Sequence, residues 1–411
     1  MVWRGKKGLR VKLRGLETIR LEEHPNILWV RLHDEDGLVG LGETYFVAEA
    51  VEAYLHEVVA PKLIDRDPLA IDAIARDLVG YLGFRSSGVE TRGNSAVDIA
   101  LWDLFGKAMG QPIAQLLGGF TRETIRTYNT CAGPAYMRGA QGQRSSNWGI
   151  GEERHPLDDL HGFLERPAEL ARELLEEGIS AMKIWPFDLA AEANDGQHID
   201  AAALRRALTP FEAIRAEVGD EMDIMVEFHS LWRVTPAIRI ARALAEFDTY
   251  WHEDPIRMDS LASLRRYAAA SKAPVCASET LAGRGAFRDL LETDAVGVVM
   301  LDLSWCGGIS EARKIAAMSE AWQLSVAPHD CTGPVVLCAS THLGLNAPNA
   351  LIQESVRAYH RGWYEGAVTA LPPIRNGRIG VPTGPGLGME LVPDLAKRFT
   401  VQRRISGKEA A

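Results

Sequence analysis

Three glutamates recur at one interval in this 411-residue chain: Glu227, Glu253 and Glu279, each 26 residues beyond the last. Each closes a short apolar run, in Met225-Val226-Glu227, Trp251-His252-Glu253 and Val275-Cys276-Ala277-Ser278-Glu279. One carboxylate in such a place is ordinarily a solvated charge or a helix N-cap, but three side by side would repel without a cation. Oxygen ligands in that number, with no thiolate beside them, suit a hard ion such as Mg²⁺ that keeps positions open for substrate. The series continues with Asp302, 23 residues after Glu279, and His329, 27 residues further on. A carboxylate next to an imidazole fixes its tautomer and raises its basicity, which makes His329 a candidate general base. A lone His packed at a strand end and satisfied by a carbonyl is the ordinary alternative; the ring around it favours the base.

Five further residues fall at or beside the same run ends. Lys183, in Ala181-Met182-Lys183-Ile184-Trp185, can hold a substrate carboxylate or move a proton, or else be a solvated rim lysine. Trp185, two residues on, faces the same side as a pocket wall or a rim aromatic. His229 shares the face of Glu227, as a general acid near the metal or a packed neighbour of it. Glu354 closes the last run, to hydrogen-bond with substrate or to pair with Arg357. Asn129, near the end of the first run, is read as a substrate contact.

The elements that must carry these residues alternate. Between 124 and 370, short apolar runs ending near Asn129, Lys183, Glu227, Glu253, Glu279, Asp302, His329 and Glu354 are separated by amphipathic helical stretches such as 201–217, 234–246 and 308–321. Eight βα units in about 250 residues imply a (β/α)8 barrel, with these residues on its C-terminal rim. The segment 132–165 is too long for an ordinary βα loop and reads as a mobile active-site loop. Ahead of the barrel, residues 8–42 read as β, with Asp34-Glu35-Asp36-Gly37 as a turn. Residues 47–117 read as helical, so the first ~120 residues form an α+β unit.

The composition, 46% hydrophobic and 24% charged, is that of a globular protein, and a net charge of −10 argues against a nucleic-acid partner or an anionic membrane surface. No apolar run approaches the ~18 residues of a membrane span. The basic start of the chain (Arg4, Lys6, Lys7, Arg10, Lys12, Arg14) has no apolar stretch behind it, so it reads as an edge strand or a frayed arm rather than a secretory signal. Five scattered cysteines without a C-x-x-C read as reduced thiols of a cytoplasmic protein. Cys331 beside His329 is the one conceivable thiol nucleophile. No G-x-G-x-x-G follows a strand, which removes the basis for a dinucleotide-dependent oxidoreductase.

Taken together, these motifs resemble the mandelate racemase/muconate lactonizing branch of the enolase superfamily. The resemblance extends to Ser95-Ala96-Val97-Asp98-Ile99-Ala100-Leu101-Trp102-Asp103-Leu104, to Gln115-Leu116-Leu117-Gly118-Gly119 and to Pro382-Thr383-Gly384-Pro385-Gly386-Leu387-Gly388. It implies an α/β fold: a modified (β/α)8 TIM barrel over 124–370, under an α+β capping domain of residues 1–123 completed by 371–411. It also implies three metal ligands at Glu227, Glu253 and Glu279, a His–Asp dyad at His329 and Asp302, and a symmetric homo-oligomer. The implied chemistry is removal of the proton α to a carboxylate by a base, with Mg²⁺ stabilising the enediolate.

One departure matters. Racemising members carry Lys-x-Lys on the second strand, whereas here Lys183-Ile184-Trp185 puts an indole where the second base would stand. Two-base racemisation therefore gives way to β-elimination of water, as in the superfamily's acid-sugar dehydratases. Such an enzyme converts an aldonate or aldarate to a 2-keto-3-deoxy acid, with His229 (or His329 once protonated) helping the 3-hydroxide to leave. An epimerase or lactone cycloisomerase shares the first step, and a non-catalytic binding protein on the same fold is a further alternative. Selectivity would fall to loops near Tyr45-Phe46 and Phe84-Arg85 and to 132–165.

Overall fold

A meander of three antiparallel strands opens the computed structural model, which describes residues 11–81, 87–139, 142–151 and 155–408. The strands are β1 (Leu13–Leu21), β2 (Ile27–Asp34) and β3 (Val39–Tyr45). The β2–β3 turn is held by Asp34, whose Oδ1 accepts from the amides of Asp36 and Leu38, with Gly37 left-handed at φ 86°. The helix Val89–Met109 lies on this sheet so closely that only glycines fit beneath it. A Cβ at Gly40 or Gly42 would come within 2.1 Å of the Ala100 carbonyl or 1.9 Å of the Ala96 carbonyl. Buried Asp103, on the same helix, accepts from the amides of Leu41 and Leu387, each at 2.8 Å, and so ties sheet, helix and C-terminal segment together.

Eight parallel strands follow: β4 (Ile125–Thr130), β5 (Ala181–Ile184), β6 (Asp223–Glu227), β7 (Trp251–Glu253), β8 (Val275–Ala277), β9 (Val298–Leu301), β10 (Ser325–Pro328) and β11 (Gln353–Ser355). β11 pairs with β4, and Leu351 just ahead of it donates to the Val326 carbonyl on β10, so the sheet closes on itself as a barrel. The short hairpin β12 (Ile374–Arg375) and β13 (Arg378–Ile379) borders β4, and β14 (Val401–Gly407) returns to pair with β1. The architecture is the capped (β/α)8 barrel expected from the alternation of runs. Among the described residues no helix is long and apolar enough to cross a membrane.

Strand periodicity sets what the barrel mouth displays. Tyr128, Ala181, Met225, Trp251, Cys276, Met300, Ala327 and Ile352 fill one interior layer. Two residues further along each strand, on the same face, stand Thr130, Lys183, Glu227, Glu253, Ser278, Asp302, His329 and Glu354. An apolar plug thus floors a polar ring. The segment 132–165 is not all loop: its last part is the helix Asp159–Glu165, capped by Asp158 accepting from the His161 amide.

Buried His342, on the helix Pro334–Asn346, joins the two parts of the fold. Its Nδ1 accepts from the Ala114 amide at 3.2 Å and its Nε2–H donates to the Leu387 carbonyl at 3.4 Å. Burial holds its pKa down at about 4, partly offset by the Leu387 carbonyl. The unfolded chain therefore binds this proton more readily than the folded one, and the His342 contribution, complete above pH ~6.5, is lost as pH falls through 4. The loss expected by pH 4 is roughly 3 kcal/mol. His342→Gln should flatten the slope of unfolding free energy against pH between about 6.5 and 4, as measured by denaturant titration at each pH.

Candidate active site

The ring residues meet beneath the cap in a cavity of about 580 Å³. Glu227 and Glu253 are paired in register across β6 and β7, and Glu279 follows β8. Carboxylate oxygens of the three lie within 4.8 Å of one another. Glu227 is fixed by its own strand end, its Oε1 accepting from the amides of Phe228 and His229 at 3.0 and 2.7 Å. That turn puts His229 in the left-handed region at φ 47°. Glu253 accepts from the Trp251 indole at 3.0 Å.

Lys183 reaches into this group, with Nζ at 2.5 Å from Glu253, 2.8 Å from Glu354 and 3.2 Å from Glu227. Burial opposes its charge, but Glu253 and Glu354 outweigh it and hold the lysine protonated, well above its ordinary pKa. One lysine does not balance the cluster. Burial, with the neighbouring carboxylates, raises Glu253 well above the usual range, and burial raises Glu227 to about 7. Three clustered oxygens short of positive charge fit a hard divalent cation, with Glu227, Glu253 and Glu279 as its holders.

Across the barrel, His329 is held between two carboxylates, Nδ1 at 2.7 Å from Asp302 and Nε2 at 2.7 Å from Glu279. Asp302 is itself oriented by the amide and hydroxyl of Ser304, at 2.7 and 2.6 Å. Burial works against the imidazolium, yet Glu279 and Glu354 raise its pKa well above the ordinary value. Burial likewise works against the Glu279 carboxylate, and His329 overrides it, holding Glu279 down at about 2.

A second imidazole–carboxylate pair faces the first, with Nδ1 of His229 at 2.6 Å from the buried carboxylate of Asp188. Gln143 and Tyr136, from the long segment after β4, stand 3.3 and 3.5 Å from its ring nitrogens. β6, which carries His229, is third in the barrel and β10, which leads to His329, is seventh, so the two dyads lie on opposite strands. Trp185 lines the cavity with Lys183, packed against Tyr136, Phe163 and His229, and it offers no basic nitrogen.

Two expected substrate contacts sit elsewhere. Asn129 is in register with Met182, one residue short of the inward face, and is fully buried outside the barrel. Its amide donates to Asp159 and its carbonyl accepts from the Arg357 amide, so it braces a structural network; Thr130, paired with Lys183, takes the wall position. Glu354 is also withdrawn from the cavity. Its oxygens are taken by Lys183, the Asp330 amide and the Thr130 hydroxyl, which makes it a support for Lys183. Nor does it pair with Arg357, which is bound to Asp159, Glu173 and Glu177.

Sequence reasoning missed Asp188, Tyr136, Gln143 and the cap residue Arg92, all beside the cavity. Only Asp188, five residues after Lys183, carried a positional hint. Phe46 is on the cavity wall as expected of its loop, whereas Phe84-Arg85 and residues 1–10 lie outside the described residues. A larger cavity of about 770 Å³ lies between cap helices and the barrel helices Gly283–Leu291 and Gly308–Ala321. It contains none of the ring residues, and four of its charges form the pairs Arg284–Glu311 and Lys314–Asp72.

A capped barrel with three carboxylates on consecutive strand ends and a His–Asp dyad opposite defines an enolase-type enzyme. Residues 20–118 match the mandelate racemase/muconate lactonizing enzyme N-terminal domain, and residues 166–395 match the enolase C-terminal domain-like family. The chain belongs to this family of the enolase superfamily. It is 31% identical over 392 residues to a D-galactonate dehydratase family member of Streptomyces bingchenggensis, covering 91% of this chain and 90% of that one. It is 31% identical over 389 residues to the D-galactonate dehydratase of Verminephrobacter eiseniae, covering 93% and 92%. An enolase of the mandelate racemase subgroup from Agrobacterium tumefaciens superimposes with a TM-score of 0.87 at 62% identity, over 97% of this chain and all of that one. These relatives place the chain among the superfamily's hydro-lyases.

Proposed function

We propose that the protein is a Mg²⁺-dependent dehydratase of a sugar acid. The observation that carries this reading is the pair of opposed dyads, His329–Asp302 and His229–Asp188, on either side of one cavity. A divalent cation held by Glu227, Glu253 and Glu279 would supply the positive charge that a carboxylate needs as its α-proton becomes acidic.

The chain's own groups do the rest. Nε2 of His329 takes the proton from the α-carbon while Asp302 holds Nδ1–H and the ring plane. Protonated Lys183 supplies a second positive charge at the carboxylate end of the cavity. His229 delivers a proton to the leaving 3-hydroxyl, so that the C–H electron pair becomes the C2–C3 double bond as the C3–O bond breaks and water departs. The enol then takes up a proton at C3 to give the 2-keto-3-deoxy acid. Because the two imidazoles stand on opposite strands, the proton and the hydroxyl leave from opposite faces in an anti elimination. Trp185, on the cavity wall beside His229, cannot act as a second α-base, which sets this site apart from a racemase.

A library of aldonic and aldaric acids incubated with protein and Mg²⁺, read with semicarbazide for 2-keto acids, tests the reading. At least one acid should give a 2-keto product. An epimerised or lactonised product without 2-keto acid would replace it with the isomerase reading, and no turnover of any acid would favour a binding protein.

A further inference from the structure

Arg92, in the first turn of the cap helix Val89–Met109, is the one arginine on the cavity wall among the described residues. Its guanidinium carbon lies over the Trp305 indole, 4.3 Å from the ring centroid, and 5.6 Å from that of Phe46. Nε donates to the Ser87 carbonyl at 2.6 Å and one terminal nitrogen donates to the Tyr45 carbonyl at 2.5 Å. No carboxylate is within ion-pair distance of it among the described residues, and its second terminal nitrogen has no partner there. The other basic side chains of the cavity each have a counter-charge: Lys183 has three glutamates, His329 has Asp302 and Glu279, and His229 has Asp188. Burial holds the Arg92 pKa down at about 10 even though Asp302 and Glu279 attract its charge.

A half-buried arginine braced by two carbonyls and placed over an aromatic ring is pre-organised to meet an anion. Its place is also informative. Trp305 touches both the Arg92 guanidinium and the imidazole of His329, its ring 4.3 Å from the former and 5.3 Å from the latter. Arg92 belongs to the cap, whereas the carboxylate cluster and Lys183 belong to the barrel. A hydroxyl at that end of a substrate would leave the charge uncompensated against apolar neighbours, while an anion would neutralise it.

We propose that Arg92 recognises a second anionic group at the end of the substrate remote from the reacting carboxylate, so that the site prefers a doubly anionic acid sugar to a simple aldonate. This rests on the dehydratase reading and extends it to the substrate class. The anion can be a carboxylate, as in an aldarate, or a terminal phosphate ester.

The test compares kcat/KM of the Mg²⁺-loaded enzyme on an aldonate, the matching aldarate and the same aldonate phosphorylated at its far end. One of the two anionic-ended acids should exceed the plain aldonate by about 10- to 100-fold, and which one does identifies the anion. That ratio should collapse in Arg92→Met and be partly kept in Arg92→Lys, which retains charge without the planar fork. A wild-type enzyme that treats the aldonate as well as either doubly charged acid overturns the proposal, whatever the variants do. So does a preference that survives in Arg92→Met. Should none of the acids be dehydrated, the dehydratase reading fails by itself. Calorimetric titration of the same three acids into wild type and Arg92→Lys then decides the role of Arg92: tighter binding of an anionic-ended acid, weakened by the substitution, supports it, and equal binding of all three overturns it.

Discussion

His329→Asn is expected to lower kcat by about 10³-fold on any acid that the wild-type enzyme dehydrates. The size follows from the geometry. His329 is enclosed, its Nδ1 is held by Asp302 at 2.7 Å, and Asp302 is itself fixed by two bonds from Ser304, so the ring has one nitrogen left for chemistry. An asparagine side chain keeps a donor for Asp302, is smaller than the imidazole and cannot accept a proton at the Nε2 position. The substitution also takes the buried partner from Glu279, so a lowered Tm is expected in the metal-free variant. Two readouts separate a lost base from a damaged site. Solvent-deuterium exchange at the substrate α-carbon should vanish along with elimination, and the Kd of the substrate should change little. Exchange that persists in the variant would assign the base to another residue.

Glu253→Gln is expected to abolish both activity and the dependence of stability on divalent cation. Glu253 is the middle carboxylate of the three and is fully buried, with Lys183 and the Trp251 indole as its partners. Without a cation, burial and the negative neighbours push it towards its neutral form, so the glutamate destabilises the cation-free protein. The neutral amide removes that penalty. Thermal unfolding in a chelator should therefore give the variant a Tm equal to or above that of wild type. Adding Mg²⁺ should raise the wild-type Tm and leave that of the variant unchanged, with cation affinity lowered by at least about 100-fold. A variant that loses Tm in chelator and still gains it with Mg²⁺ would mean that the cation is held elsewhere.

The ring was legible in the sequence because a βα unit has a nearly fixed length. A recurrence of 26 residues at Glu227, Glu253 and Glu279 is that length, and each follows an apolar interior residue, Met225 and Trp251 by two positions and Cys276 by three. The same two-residue period explains the one miss among the strand ends. Asn129 and Thr130 both stand at the end of β4, and only the register with Met182 and Lys183 shows which of them faces inward. Glu354 does face inward, but packing decided its role: Lys183 reached it before any substrate could. Asp188, Tyr136, Gln143 and Arg92 belong to segments outside the strand pattern, two of them in the long segment after β4 and one in the cap. Arg92 reaches the cavity through the docking of cap on barrel, by contacts such as those of His342, and the other three through the course of βα segments; no periodicity along the chain encodes either.

The central claim is that this cavity removes the α-hydrogen of an acid sugar as a proton and then expels the 3-hydroxyl. The most direct measurement is the fate of deuterium placed at C2 of an accepted substrate, followed by NMR and mass spectrometry of the product formed in ordinary water. The account predicts that the label is released to solvent with a primary isotope effect and that the 2-keto-3-deoxy product carries only solvent hydrogen at C3. Deuterium retained in a 2-keto product would contradict it, because the hydrogen would then have moved within the substrate without passing through an imidazole that exchanges with water.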